Sequence, residues 1–166
     1  MTENATQTSN PVSKKKPTAV VVGLDGTLCD NEHRLHLIEP PRSDWHAYHQ
    51  LMAEDPVNYR ILDAVVAARQ AGHQVIILTG RPESYLLPTL QWLNRNYITY
   101  DELIMRDDED ERTEDQMKKD AFCRRIKPHV KPVLAFDNTP VTIFMWHDLY
   151  IDTFWCWNDN LIKMNC

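Results

Sequence analysis

An α/β fold built on a parallel sheet is predicted for this 166-residue chain by three observations. Short β-branched or aliphatic runs alternate with segments of helical periodicity. Three of those runs stop abruptly at polar loops, Asp25-Gly26-Thr27, Thr79-Gly80-Arg81 and Asp137-Asn138-Thr139. The stretches between runs are long enough for the crossover helices that parallel pairing demands. Open sheets of this kind bind ligands just past the carboxyl ends of their strands, which directs attention to those three loops.

Residues 1–17 are rich in Thr, Ser and Asn and then basic at Lys14-Lys15-Lys16, with almost nothing to bury. They read as a flexible tail, and residues 18–166 as one domain. The lysines read as a solvated run, with nucleic-acid contact as the alternative. Strand one spans about Thr18 to Leu24. Cys29 to His36 is polar and reads as loop with a short turn. After Pro40-Pro41-Arg42, Ser43 or Asp44 caps a short helix carrying Trp45, Tyr48, His49 and Met52. Asp55-Pro56 breaks the chain again.

A helix from about Asn58 to Ala71 puts Ile61, Leu62, Val65 and Val66 on one face and ends at Gly72. Gln74 to Leu78 is strand two. A helix from about Leu86 to Asn94 follows, with Leu86, Leu90 and Leu93 at helical spacing and Pro88 in its first turn. Leu103-Ile104-Met105 is strand three, and Arg106 to Asp115 a highly charged loop. A helix from Met117 to Ile126 stops before Pro128. Val133 to Phe136 is strand four, a helix runs from Pro140 to about Leu149, and strand five spans Asp152 to Cys156. Trp45, Trp92, Trp146, Trp155 and Trp157 read mostly as core, Trp45 being the one placed to stand near a base.

The composition, 43% hydrophobic and 25% charged, is that of an ordinary globule. A formal charge of −6 argues against a broad basic surface for long nucleic acid, while leaving room for a local phosphate pocket or a nucleic-acid end. Cys29, Cys123, Cys156 and Cys166 form no C-x-x-C pair and read as reduced thiols. No apolar run has membrane-spanning length and the N-terminus carries no signal-peptide core, so a cytoplasmic protein with no membrane partner is expected. Homo-oligomerisation is left open.

Taken singly, the polar loops have ordinary readings. Asp-Gly is a common turn pair, Thr79-Gly80-Arg81-Pro82 a strand-to-helix turn, Asp137-Asn138 a helix cap, and Lys118 beside Lys119 a solvated charge. Their order is more telling, because parallel strands bring these ends to one edge. The stretch Ala19–Leu28 closely resembles the first motif of the haloacid-dehalogenase (HAD) superfamily, an apolar run followed by D-x-D-G-T. The likeness narrows at DGTLCDNEHRLHLI (Asp25–Ile38), DWHAYHQLM (Asp44–Met52), ILTGRPE (Ile77–Glu83), KKDAF (Lys118–Phe122), IKPH (Ile126–His129) and FDNTPVTIFMW (Phe136–Trp146). These resemble the phosphatase domain of bacteriophage polynucleotide kinase-phosphatase and its stand-alone relatives, over about residues 18 to 157.

The resemblance implies a HAD-like Rossmannoid fold, with helices flanking a parallel sheet and a minimal cap insert at about residues 29–58. It implies a Mg²⁺-dependent phosphomonoester hydrolase acting on nucleotides or polynucleotide 3′-phosphate ends. Position 23 is that of the nucleophile, and Asp25 that of the acid/base, whose carbonyl also helps hold Mg²⁺. Thr79 and Gly80 lie where a phosphoryl oxygen is bound. Arg81 offers a planar fork to phosphate, and Arg34 a reach from the cap side. Lys118 neutralises charge at the reacting centre, and Asp137 with Asn138 holds the metal. A cap this short would leave the site open to a bulky partner such as a phosphorylated nucleotide or a nucleic-acid end.

The departure from the motif is Gly23, which stands where the family has its nucleophilic aspartate. Glycine can neither attack phosphorus nor offer a carboxylate. Asp25 is a poor substitute, since two residues along a strand move a carboxylate by about 6–7 Å. The chain is therefore expected to be inactive as written. Three readings remain: a phosphatase disabled by this change, a natural pseudophosphatase that binds a phosphorylated ligand, and an interaction protein that has kept the fold.

Overall fold

The computed structural model describes residues 15–156. The tail up to residue 14, Trp157 and Cys166 lie outside the described residues. The five expected strands are present: β1 (Thr18–Val22), β2 (Gln74–Pro82), β3 (Glu102–Arg106), β4 (Lys131–Asp137) and β5 (Thr153–Trp155). They form one all-parallel sheet in the order β3-β2-β1-β4-β5. The central strand β1 is buried on both faces, which is why its sequence is an unbroken Ala-Val-Val-Val run rather than an alternation.

Successive side chains of each strand feed two separate cores. On one face Val20, Val22, Val75 and Ile77 pack with Ile61 and Val65 of α3 (Tyr59–Gln70) and Trp92 and Leu93 of α4 (Leu86–Arg95). On the other, Ala19, Val21, Ile76 and Leu78 meet Phe122 and Ile126, and Met145 and Trp146 of α6 (Pro140–Asp148). The helix α5 (Glu114–Ala121) leads into Phe122–Ile126, which forms a π-helical turn instead of continuing the expected α-helix to Ile126.

The segment between β1 and α3 holds two short helices, α1 (Glu32–Leu35) and α2 (Trp45–Gln50), and a 3₁₀ turn at Leu51–Glu54. Of the two expected caps for α2 it is Asp44 that acts, its carboxylate accepting the amide of Ala47 at 2.9 Å. The segment Cys29–His36, expected as loop with a short turn, has that turn as α1, which Arg34 anchors to the interior. Val66 and Leu86 were expected on buried helix faces and are instead exposed. Trp92 and Trp146 are core, whereas Trp45 and Trp155 are on the surface, 55% and 43% exposed.

Candidate active site

The carboxyl ends of β1, β2 and β4 converge as the topology requires. The amide of Gly23 donates to the carbonyl of Phe136 at 3.0 Å, extending the β1–β4 pairing to the point where the loop begins. The chain then turns tightly, Thr27 N donating to Leu24 O at 3.0 Å. Gly26 has φ +70, and a Cβ there would lie 2.1 Å from Asn138 Nδ2, so both conformation and space demand glycine. Gly23 has no such need, since the positive-φ glycines are Gly26 and Gly72. A Cβ on Gly23 would meet Thr27 Oγ1 at 3.2 Å and Asp137 Oδ1 at 3.6 Å. Asp137 and Thr27 are therefore the immediate surroundings of position 23.

Two buried charge clusters lie beneath the strand ends. In the first, Asp25 and Asp55 share the guanidiniums of Arg34 and Arg81. Arg81 donates to Asp25 through Nη2 (2.6 Å) and Nε (3.1 Å to each oxygen), and to Asp55 at 3.1 Å. Arg34 donates to Asp55 through Nε (2.7 Å) and Nη2 (2.5 Å), and from Nη2 also to Asp25. Its guanidinium carbon lies 4.0 Å from the centre of the Tyr48 ring, adding a cation–π contact. Burial works against the Asp25 charge, but Arg81 and Arg34 overcome it and hold the carboxyl well below the usual range.

The second cluster is centred on Lys118, which α5 projects under the site. Its Nζ donates to both oxygens of Asp137, at 2.9 and 3.1 Å, and to Glu114 one turn back at 2.7 Å. Asp137 also accepts from the Asn138 amide at 3.0 Å and from Trp146 Nε1 at 3.1 Å. Burial opposes the ammonium, but Asp137 and Glu114 more than offset it and raise the Lys118 pKa above its ordinary value.

A cleft of about 890 Å³ opens over these clusters and is lined by Asp25, Thr79, Gly80, Asn138 and residues of the cap and of the 106–114 segment. The expected site residues thus divide into two groups. Asp25, Thr79, Gly80 and Asn138 border the cleft. Arg34, Arg81, Lys118 and Asp137 are buried, at 0, 0, 2 and 1% exposure, and lie beneath it with their polar groups already engaged. Arg34, expected to reach outward from the cap, points inward because Asp55 and Asp25 provide the anions that a buried guanidinium requires.

Three participants were not singled out from the sequence. Asp55 was visible only as a chain break before Pro56, yet it binds both arginines and accepts from Cys29 Sγ at 3.2 Å. Glu114 was part of a charged loop, although its spacing of four from Lys118 is the helical ion-pair spacing. Thr27 donates to Asn138 Oδ1 at 3.4 Å and joins the first loop to the last.

The oxygens present do not fit a divalent cation. Mg²⁺ wants several unengaged carboxylate, carbonyl or water oxygens. Here Gly23 supplies no carboxylate, both oxygens of Asp137 accept the Lys118 ammonium, and those of Asp25 face two guanidiniums. Among the described residues, Asp25, Cys29 and Asp55 are close enough together to share an ion, but the same arginines already neutralise that group. The cation that Asp137 holds in this structure is Lys118.

Comparison with known proteins agrees with this geometry. A chain of the Pnkp1/Rnl/Hen1 RNA repair complex superposes with a TM-score of 0.74 at 27% identity, over 93% of this chain and 47% of that one. A protein of Autographa californica nuclear polyhedrosis virus, assigned as a bifunctional polynucleotide kinase/RNA ligase, is 26% identical over 145 residues, 86% of this chain and 20% of the viral protein. The class C acid phosphatase of Bacillus anthracis, solved with tungstate bound, shares the fold at 17% identity with a TM-score of 0.60, over 83% of this chain and 63% of that one. The chain thus spans about half the length of the first solved structure and a fifth of the viral relative. The family profile described as the polynucleotide kinase PNKP phosphatase domain matches residues 17–160, and the chain belongs to that HAD-type family.

Proposed function

We propose that this domain recognises the 3′-phosphate end of a polynucleotide, or a phosphorylated nucleotide, and does not hydrolyse it. Gly23 carries the reading: the position where the family has its nucleophile lacks a carboxylate, while the residues around it remain assembled. Membership of a polynucleotide phosphatase family supports the ligand class. HAD phosphatases generally use Mg²⁺, and this donor set supports binding that does not depend on it.

The state of Asp25 supports the same view. A group that protonates a leaving oxygen works best with a pKa near the operating pH. Asp25 is held ionised by two arginines, so it lacks that proton at neutral pH. Thr79, Gly80 and Asn138 offer hydroxyl, amide and carboxamide groups at the cleft floor. The cations beneath it, Lys118, Arg34 and Arg81, are matched by Asp25, Asp55, Asp137 and Glu114, so the reading rests on these directional donors rather than on net positive charge.

The test is thermal. A ligand that binds only the folded state raises its melting temperature by mass action. Oligonucleotides with a 3′-phosphate should raise it in EDTA as well as in Mg²⁺, the same strands with a 3′-hydroxyl should not, and neither should release inorganic phosphate. Thr79→Ala should abolish the shift. No response to any phosphorylated end would favour the interaction-protein reading.

A further inference from the structure

The cleft is asymmetric in a way that phosphate recognition alone does not use. One wall is aromatic: Trp45, His46 and His49 from α2, and Tyr85 from the turn before α4. Three of these rings form a continuous row. Trp45 and His49 have centroids 6.1 Å apart with planes at 32°, and His49 and Tyr85 are 4.7 Å apart at 38°. His46 braces the far end, its Nδ1 lying 2.9 Å from the Tyr85 hydroxyl.

Trp45 ends the row and is 55% exposed, although Tyr48 and His49 beside it are buried. His49 is neutral at physiological pH, burial pushing it down to about 4, so the row carries no cation there. Its Nδ1 is buried without a hydrogen-bond partner among the described residues.

Another part of the lining, the 106–114 segment, is mostly acidic. Asp107, Asp108, Glu109, Asp110 and Glu111 run consecutively, and Asp110 and Glu111 line the cleft. Two cations accompany them in the lining: Arg112 is paired with Asp110 and Asp120, and Arg106 donates to the carbonyls of Gly80, Asp110 and Arg112. A polyanionic strand laid along this wall would be repelled. The volume of about 890 Å³ is that of a site for a drug-sized ligand, not for a long strand.

We propose that Trp45, backed by His49 and Tyr85, is a stacking platform for the base of the terminal nucleotide of a single-stranded 3′-phosphorylated end. The inference rests on the ligand class argued above and adds how that ligand is held: by the face of its last base rather than by its backbone charge. Stacking on an aromatic ring is tolerant of sequence, because every base has a π-face. The acidic wall limits the contact to the last one or two nucleotides.

The test is fluorescence anisotropy with labelled single strands ending in a 3′-phosphate, on a nucleoside or on an abasic sugar. The parent chain, Trp45→Ala and Trp45→Phe are compared, with inorganic phosphate as competitor. Trp45→Ala should weaken binding of the nucleoside end by about 5- to 150-fold, the factor to which ~1–3 kcal/mol per stacked base converts. Trp45→Phe should retain most of the affinity. The abasic end should be weaker by a similar factor in the parent and lose nothing further in Trp45→Ala. The plot of log affinity against log salt should have a slope of about −0.7, one phosphate's worth for a single strand.

Equal binding of both ends by the parent, or unchanged affinity in Trp45→Ala, overturns the platform while leaving phosphate recognition in place. Equal losses for both ends in Trp45→Ala also overturn it, by showing that Trp45 acts through the fold. If the parent binds neither end, the proposed function fails and the platform with it.

Discussion

The two charge clusters under the cleft each hold two carboxylates and differ in their cations, two arginines in the first and one lysine in the second. The first has two anions, Asp25 and Asp55, and two cations, Arg34 and Arg81, each anion touching both cations. It is closed and neutral. The second has one cation, Lys118, between Asp137 and Glu114, with Gly23 alongside. A carboxylate at position 23 would make three anions around one lysine, an arrangement that a divalent cation suits. The comparison teaches that a site with no carboxylate at position 23 need not collapse when its cation has other partners.

The largest effect should come from restoring that carboxylate. In Gly23→Asp, phosphate release from 3′-phosphorylated ends, assayed with Mg²⁺ in the buffer, should rise from near background by ~10³-fold or more, the scale on which hydrolases lose rate with their nucleophile. The backbone conformation at Gly23 suits aspartate, and Thr27 needs to give by only a few tenths of an ångström. Because Asp25 is held ionised, the restored activity should increase as pH falls from 8 towards 5, as more of its acid form appears. Adding Asp25→Asn should remove it. A silent Gly23→Asp would mean that the second cluster differs from an active one by more than this carboxylate.

Breaking the closed cluster should cost stability instead. Asp55→Ala leaves Arg34 and Arg81 with one carboxylate between them, and unpaired buried charge typically costs about 3–5 kcal/mol. For a domain of this size that corresponds to a fall in melting temperature of roughly 6–20 °C. Lys118→Met should fall in the same range, because it strands buried Asp137. With Mg²⁺ present to offset the added carboxylate, Gly23→Asp should lose less stability than either, and a comparable loss in all three would erase the distinction between the clusters.

Calorimetry gives a smaller and more specific contrast. Mg²⁺ titrated into the parent should give little heat, and Gly23→Asp should bind it at least about tenfold more tightly, a difference of ~1.4 kcal/mol. Equal affinities would remove position 23 from any metal-binding role.

The sheet was legible because its inner strands β1 and β2 are buried on both faces and therefore read as apolar runs ending at polar loops. The convergence of Asp25, Thr79 and Asp137 followed from strand order alone. What could not be read was the direction in which the arginines point. Arg34 and Arg81 carry donors suited to phosphate, and only the fold brings Asp55, 30 residues beyond Asp25, between them. Val66 and Leu86 show the corresponding limit of periodicity: helical spacing marks a face, but the width of the sheet beneath decides how much of that face is covered.

The smallest predicted effect separates the cleft wall from the clusters by pH. Burial is the main cause that lowers His49 to about 4, with Arg34, Arg81 and Arg106 acting the same way and Asp25 opposing. In the unfolded chain a histidine titrates near ~6.5, so between about pH 4 and 6.5 the unfolded state binds more protons than the folded one. Stability from this group is complete above pH 6.5 and is lost progressively down to about 4. Asp25 behaves differently: its folded pKa is depressed, so its contribution persists until pH falls below the ordinary carboxylate range near ~4. Melting temperatures taken at half-unit steps should therefore show two successive declines on acidification. His49→Phe keeps a ring beside Tyr85 and Trp45 and cannot take a proton, so it should flatten the first decline and leave the second. If the variant retains the decline between pH 6.5 and 4, that loss arises from some other group, and His49 is not the titrating element of the cleft wall.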